Sequence, residues 1–202
     1  MNNKIKLFET SIYNKENYKE YCKLKLDENI TSINKKDLPD ELTDELCQFI
    51  SDFRRKTVNE ENEWNLYIYI DYEKNEVIHC FKGQKTNVTG WINLKEMENR
   101  KILSIHNHPK GTFSAPSSNN FEILDHEFEN YEVICAEEEY WILEAKGKYK
   151  IRKNIQDEVS RAFESIKNSK QKDKNKKYSK ILTTYINNLN IDIKITKRAY
   201  KK

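Results

Sequence analysis

Hydrophobic and polar positions alternate most cleanly over residues 64 to 70, WNLYIYI, where Leu66, Ile68 and Ile70 fall on one face and Tyr67 and Tyr69 on the other. Such alternation predicts a strand, and the polar turn Asp71 to Asn75 followed by Glu76 to Phe81 predicts its hairpin partner. Upstream, Leu42, Leu46, Phe49, Ile50 and Phe53 recur at helical spacing behind acidic residues. They predict an amphipathic helix from Pro39 to about Arg55, ending before Thr57. A weaker helix is expected over Asn14 to Leu26, with Tyr18, Tyr21, Cys22 and Leu24 inward, after a short strand at Ile5 to Phe8.

Downstream, a short strand is expected at Val88 to Trp91, a helix or turn at Ile92 to Arg100, and a buried strand at Ile102 to Ile105. A helix beginning near Ser118 then leads to strands at Tyr131 to Ala136, Tyr140 to Ala145 and Tyr149 to Ile151, a meander closing the sheet. This order predicts an α+β fold of three-layer αβα type, with a mixed sheet and flanking helices. Beyond residue 152, Val159, Phe163 and Ile166 stripe one helix, Lys167 to Lys180 reads as a lysine-rich connection, and Ile181, Leu182, Tyr185, Ile186 and Leu189 stripe a second helix. Ile191 to Ile195 alternates like an edge strand. The expected division is an N-terminal extension over 1–36, a core domain over 37–152 and a basic helical extension over 153–202.

Composition changes this picture in two ways. The 202 residues suit one well-buried core with decorated ends, and 37% apolar against 34% charged residues is polar for a globular chain without being that of a disordered one. The net charge of +3 conceals a split: residues 153 to 202 hold 14 Lys or Arg against 5 Asp or Glu, leaving −6 for the rest. An ordinary solvated face is the first expectation for that basic tail, and nucleic acid, an acidic protein or an anionic membrane surface are the alternatives. Cys22, Cys47, Cys80 and Cys135 show no C-x-x-C spacing, so reduced core thiols and a cytoplasmic location are expected. No segment approaches the length of a membrane span, and the first residues hold no long apolar run, so neither a signal peptide nor a membrane partner is expected.

The candidate chemistry lies where the Ile102 to Ile105 strand runs out into His106, Asn107, His108 and Pro109. Side chains alternate along a strand, so His106 and His108 share a face and can hold one metal ion. Pro109 ends the pairing, Gly111 permits a sharp loop, and Pro116 and Ser117 open a helix with Ser117 as N-cap and Asn120 one turn in. His79 and His126 read as structural or exposed.

These residues resemble the JAMM (JAB/MPN) metalloproteases, whose signature is H-x-H-P, a short loop and S-x-x-D; His106, His108, Pro109 and Ser117 fall on it. Two features depart: the loop to Ser117 is one residue longer than the family spacing, and Asn120 stands where the family has its aspartate ligand. Pro116-Ser117 matches the helix opening of the RadC-like branch, and without the extra residue Asn119 would take that position. The resemblance covers about residues 40 to 152. It implies a JAB/MPN-like (cytidine-deaminase-like) core holding Zn2+ on His106, His108 and, weakly, Asn120. It further implies Glu63 as general base, with Glu61 as the alternative, and Ser117 as the group that steadies the oxyanion. The implied activity is that of a zinc-dependent peptidase or isopeptidase, acting on a protein or peptide such as a ubiquitin-like conjugate.

An amide oxygen is a poorer zinc ligand than a carboxylate. Three outcomes therefore stay open: a weakened working site, rescue by a residue such as Asp125 or Glu127, or a fold kept for binding. The alternatives to a peptidase are a non-catalytic MPN-like scaffold and a RadC-like nucleic-acid-associated protein acting through the basic extension.

Overall fold

The computed structural model describes residues 14–70, 75–85, 100–117, 119–120, 129–145, 153–167, 173–188 and 193–200. Six strands form one mixed sheet: β1 (Trp64–Tyr69), β2 (Glu76–Lys82), β3 (Ile102–Asn107), β4 (Glu129–Cys135), β5 (Glu139–Ala145) and β6 (Ile193–Ala199). Their spatial order is β2-β1-β3-β4-β5-β6; β3 and β4 run parallel and every other neighbouring pair is antiparallel. The expected hairpin is present, with Asn65 opposite Phe81 and Tyr67 opposite His79.

Helices cover both faces. On one, α1 (Lys15–Lys23) and α2 (Asp44–Thr57) bring Tyr21, Leu46, Ile50 and Phe53 against Trp64, Leu66, Leu103, Ile105 and Val133. Ile50 and Phe53 are fully buried, a contribution of roughly 1.5–3 kcal/mol each. On the other face, α3 (Lys153–Lys167) and α4 (Lys174–Asn188) set Val159, Ile166, Tyr178 and Leu182 on Ile134, Trp141 and Leu143. The arrangement is α+β with three layers.

Several elements differ from expectation. The α2 helix starts at Asp44 rather than Pro39, because Thr43 Oγ1 accepts from the N–H of Leu46 and caps it, and it runs through Thr57. In α1, Cys22 is exposed while Tyr21 packs inward. Cys47, Cys80 and Cys135 are buried and free, as expected of core thiols. The lysine-rich stretch is not all connection: α4 begins at Lys174, and among its described side chains Tyr178 and Leu182 are buried one turn apart while Ile181 is 38% exposed; the side chains of Tyr185 and Ile186, and Leu189, lie outside the described residues.

The segment beyond residue 152 contributes β6 to the sheet edge and α3 and α4 to the second core. Part of its basic charge is tied to the body: Lys194 to Glu144, Lys197 to Glu139 and Arg198 to Asp37. Arg54 packs at the same end as Arg198, donating to the carbonyls of Thr31 and Glu137 with its guanidinium 3.2 Å from the centre of the Tyr200 ring. No helix of the described residues is long and apolar enough to cross a membrane. The elements expected at 5–8, 88–91 and 149–151, the helix or turn at 92–100 apart from Arg100, and His126, Asp125 and Glu127 lie outside the described residues.

Candidate metal centre

Two antiparallel neighbours, β1 at its start and β3 at its end, form this centre. On β3, Ser104 and His106 point to one face and Leu103, Ile105 and Asn107 to the other. The N–H of His108 donates to the carbonyl of Cys135 at 2.8 Å, which continues the β3–β4 ladder past Asn107 and keeps His108 on the face of His106. The two Nε2 atoms are 3.1 Å apart. Asn65 is the antiparallel partner of His106, so the same register carried two residues further sets Glu63 opposite His108. Glu63 is held there because its N–H donates to Gln84 and its carbonyl accepts from Gly83, extending β1 beyond Trp64. Glu63, His106 and His108 thus offer ligand atoms all within 4.8 Å of one another. Glu61, the alternative base, is exposed.

Asn107, pointing to the opposite face, fixes the backbone that delivers Glu63. Its Oδ1 accepts from the N–H of Trp64, and its Nδ2 donates to the carbonyls of Thr57 and Asn62. The turn between α2 and β1 is thereby pinned to the histidine strand.

The loop after His108 folds over α3 and α4. Pro109 accepts from the N–H and hydroxyl of Thr112, and Gly111 takes the left-handed φ of 80° that a side chain would resist. Phe113 stacks edge-on against Phe163 and Tyr178, Ser114 donates to Glu139, and Tyr178 donates to the carbonyl of Pro116 at 2.8 Å. Ser117 then meets Asn120 as one half of a capping box: Oδ1 of Asn120 accepts from both the N–H and the hydroxyl of Ser117. The amide nitrogen faces inward, 3.3 Å from Nε2 of His106 and 2.8 Å from Oε1 of Glu132, to which it donates. All five residues singled out in the sequence therefore converge, with the nitrogen of Asn120 rather than its oxygen toward the histidines.

Glu132 is one of three residues that sequence reasoning missed. It lies on β4 opposite Ser104, fully buried, with Oε1 3.3 Å from Nδ1 of His106. Its signal in the sequence is an acidic residue inside the otherwise apolar run YEVIC, costly in a covered strand unless something pairs with it. Tyr178 and Asn107 were missed for similar reasons, the first inside a lysine-rich stretch and the second between two histidines.

Electrostatics separate the two imidazoles. Burial alone would depress His106, but the carboxylates of Glu132 and Glu63 outweigh it and hold its pKa above the usual histidine value. His108 is pushed down to about 3 by burial and by the charge on His106 beside it. Burial raises the Glu63 carboxyl, with His106 opposing and Glu132 reinforcing the rise.

Among the described residues, Glu63, His106 and His108 are the group whose donor atoms could hold a metal ion. Two nitrogens bound at about 2.0–2.1 Å to a tetrahedral ion stand roughly 3.3 Å apart, close to the separation of the two Nε2 atoms here. Glu63 and Glu132 are two buried carboxylates whose cationic partner, among the described residues, is the one imidazole of His106. Comparison of the chain with protein-family models, with curated proteins and with solved structures returns no match.

Proposed function

We propose that this chain is a metal-dependent hydrolase of peptide or isopeptide bonds, built on a JAB/MPN-like core and using zinc. The reading rests chiefly on the meeting of Glu63 with His106 and His108 at the carboxyl end of β3, from where the connection to the parallel strand β4 departs. His106 and His108 would hold the ion through Nε2, and the bound ion would polarise the scissile carbonyl and acidify water. Glu63 takes a proton from the attacking water and passes it to the leaving amine, work that suits a carboxyl whose pKa is raised by burial. Ser117 steadies the oxyanion only by giving up its hydroxyl's bond to Asn120. A protein substrate with an extended tail, such as a ubiquitin-like conjugate, is the class the JAMM resemblance favours.

The test is hydrolysis of fluorogenic peptide and isopeptide substrates by the zinc-loaded full chain and by Glu63→Gln. The expected result is turnover that falls by about 10²–10⁴ in kcat in the variant while bound zinc is retained. A zinc-loaded wild type that cleaves neither class overturns the hydrolase reading. The orientation of Asn120, with its oxygen engaged by Ser117, favours a second reading: an MPN-like module that binds without cleaving.

A further inference from the structure

We infer that Glu132 supplies the fixed negative charge of this centre, and that position 120 is an amide because it must donate to that carboxylate. The inference rests on the metal-site reading above and deepens it. Both ends of the Asn120 amide are engaged: Oδ1 accepts from Ser117, and Nδ2 donates to Oε1 of Glu132 at 2.8 Å. An aspartate could keep the first bond but not the second, and it would set two buried carboxylates in contact, since Asn120 is 6% exposed and Glu132 not at all.

The same Oε1 lies 3.3 Å from Nδ1 of His106, on the far side of the ring from His108. A carboxylate behind a ligating imidazole fixes its orientation and strengthens it as a donor. Glu132 faces Nδ1 of His106 at ion-pair distance without an aligned hydrogen bond, and it is a positioning residue that acts through His106. Asn120 is the tie that holds Glu132 and Ser117 together. Restoring an aspartate at 120 alone does not rebuild a stronger site, because the negative charge already sits one strand away. Exchanging the two groups, carboxylate to 120 and amide to 132, keeps the pair matched.

The experiment compares wild type, Asn120→Asp, Glu132→Gln and the double variant. Each is measured twice: metal-free, for its urea midpoint, and with Zn2+ alone, for affinity by competition with a chromophoric chelator. In the metal-free series, Asn120→Asp should lower the midpoint, Glu132→Gln should stay near wild type, and the double variant should recover most of the loss. With zinc, Glu132→Gln should bind about tenfold or more weakly although its fold is intact, and Asn120→Asp should bind no tighter than wild type.

An Asn120→Asp protein as stable as wild type, with no recovery in the double variant, overturns the inference. So does an Asn120→Asp protein that binds zinc tenfold tighter with Glu132 in place. If wild type binds no zinc, the metal reading fails by itself, and the metal-free series still decides whether Asn120 and Glu132 are matched.

Discussion

The backbone N–H of Trp64 donates to Oδ1 of Asn107 across 2.6 Å, so the first residue of β1 is fastened to a side chain at the end of β3. The same side chain donates to two carbonyls in the turn before β1, and Glu63 lies between those anchors. Glu63 and the histidine pair are therefore placed by one buried amide.

Replacing Asn107 by Ala removes three hydrogen bonds and strands an N–H and two carbonyls in the interior. The expected loss is about 3 kcal/mol of stability, read as a lower urea midpoint. Asn107→Asp keeps the acceptor for Trp64 but loses both donors, so it is expected to fall between wild type and Ala. If either variant leaves the midpoint unchanged, the amide is not what holds the turn.

The hydroxyl of Tyr178 reaches across from α4 to the carbonyl of Pro116, one residue before Ser117. Tyr178→Phe keeps the ring contacts with Phe113 and Phe163 and deletes that single bond. A loss of about 1 kcal/mol is expected, with looser zinc binding or slower turnover as the Ser117 loop shifts. Unchanged stability and unchanged site behaviour would show that α4 serves the core alone.

Asp37 accepts from Tyr140 and from Arg198, joining the segment before α2 to β5 and β6. Burial would raise its pKa, but those two donors outweigh burial and hold it below the usual carboxylate value. Its folded pKa is thus depressed relative to the unfolded chain. The stability it contributes is present above the ordinary aspartate pKa and is lost as pH falls through the depressed value. Asp37→Asn should be less stable than wild type at neutral pH and should converge with it in acid. Parallel acid limbs in urea titrations of the two proteins would contradict this.

The strands were readable wherever one face alternates or a run is wholly apolar. Leu66 and Ile68 point to one core and Tyr67 and Tyr69 to the other face, and the Ile102 to Ile105 run is buried on both sides. His106 and His108 were legible because the period of a strand fixes their common side. What stayed hidden depends on register between distant segments. Glu132 joins His106 through the parallel pairing of β4 with β3, and nothing local to either residue reports that pairing. The direction of the Asn120 amide is likewise set by the carboxylate it meets, not by its own spacing. Helix boundaries shifted where capping overrode periodicity, as at Thr43, or where lysines masked a stripe, as at Tyr178 and Leu182.

The central claim is that His106 and His108 hold one metal ion together beside Glu63. Its most direct measurement is the zinc content per chain of the purified 202-residue chain, equilibrated with Zn2+ and then freed of unbound metal, beside His106→Ala and His108→Ala treated identically. About one equivalent in wild type, and far less in both folded variants, is the predicted result. A folded wild type that retains no zinc, or variants that retain as much as wild type, would contradict it.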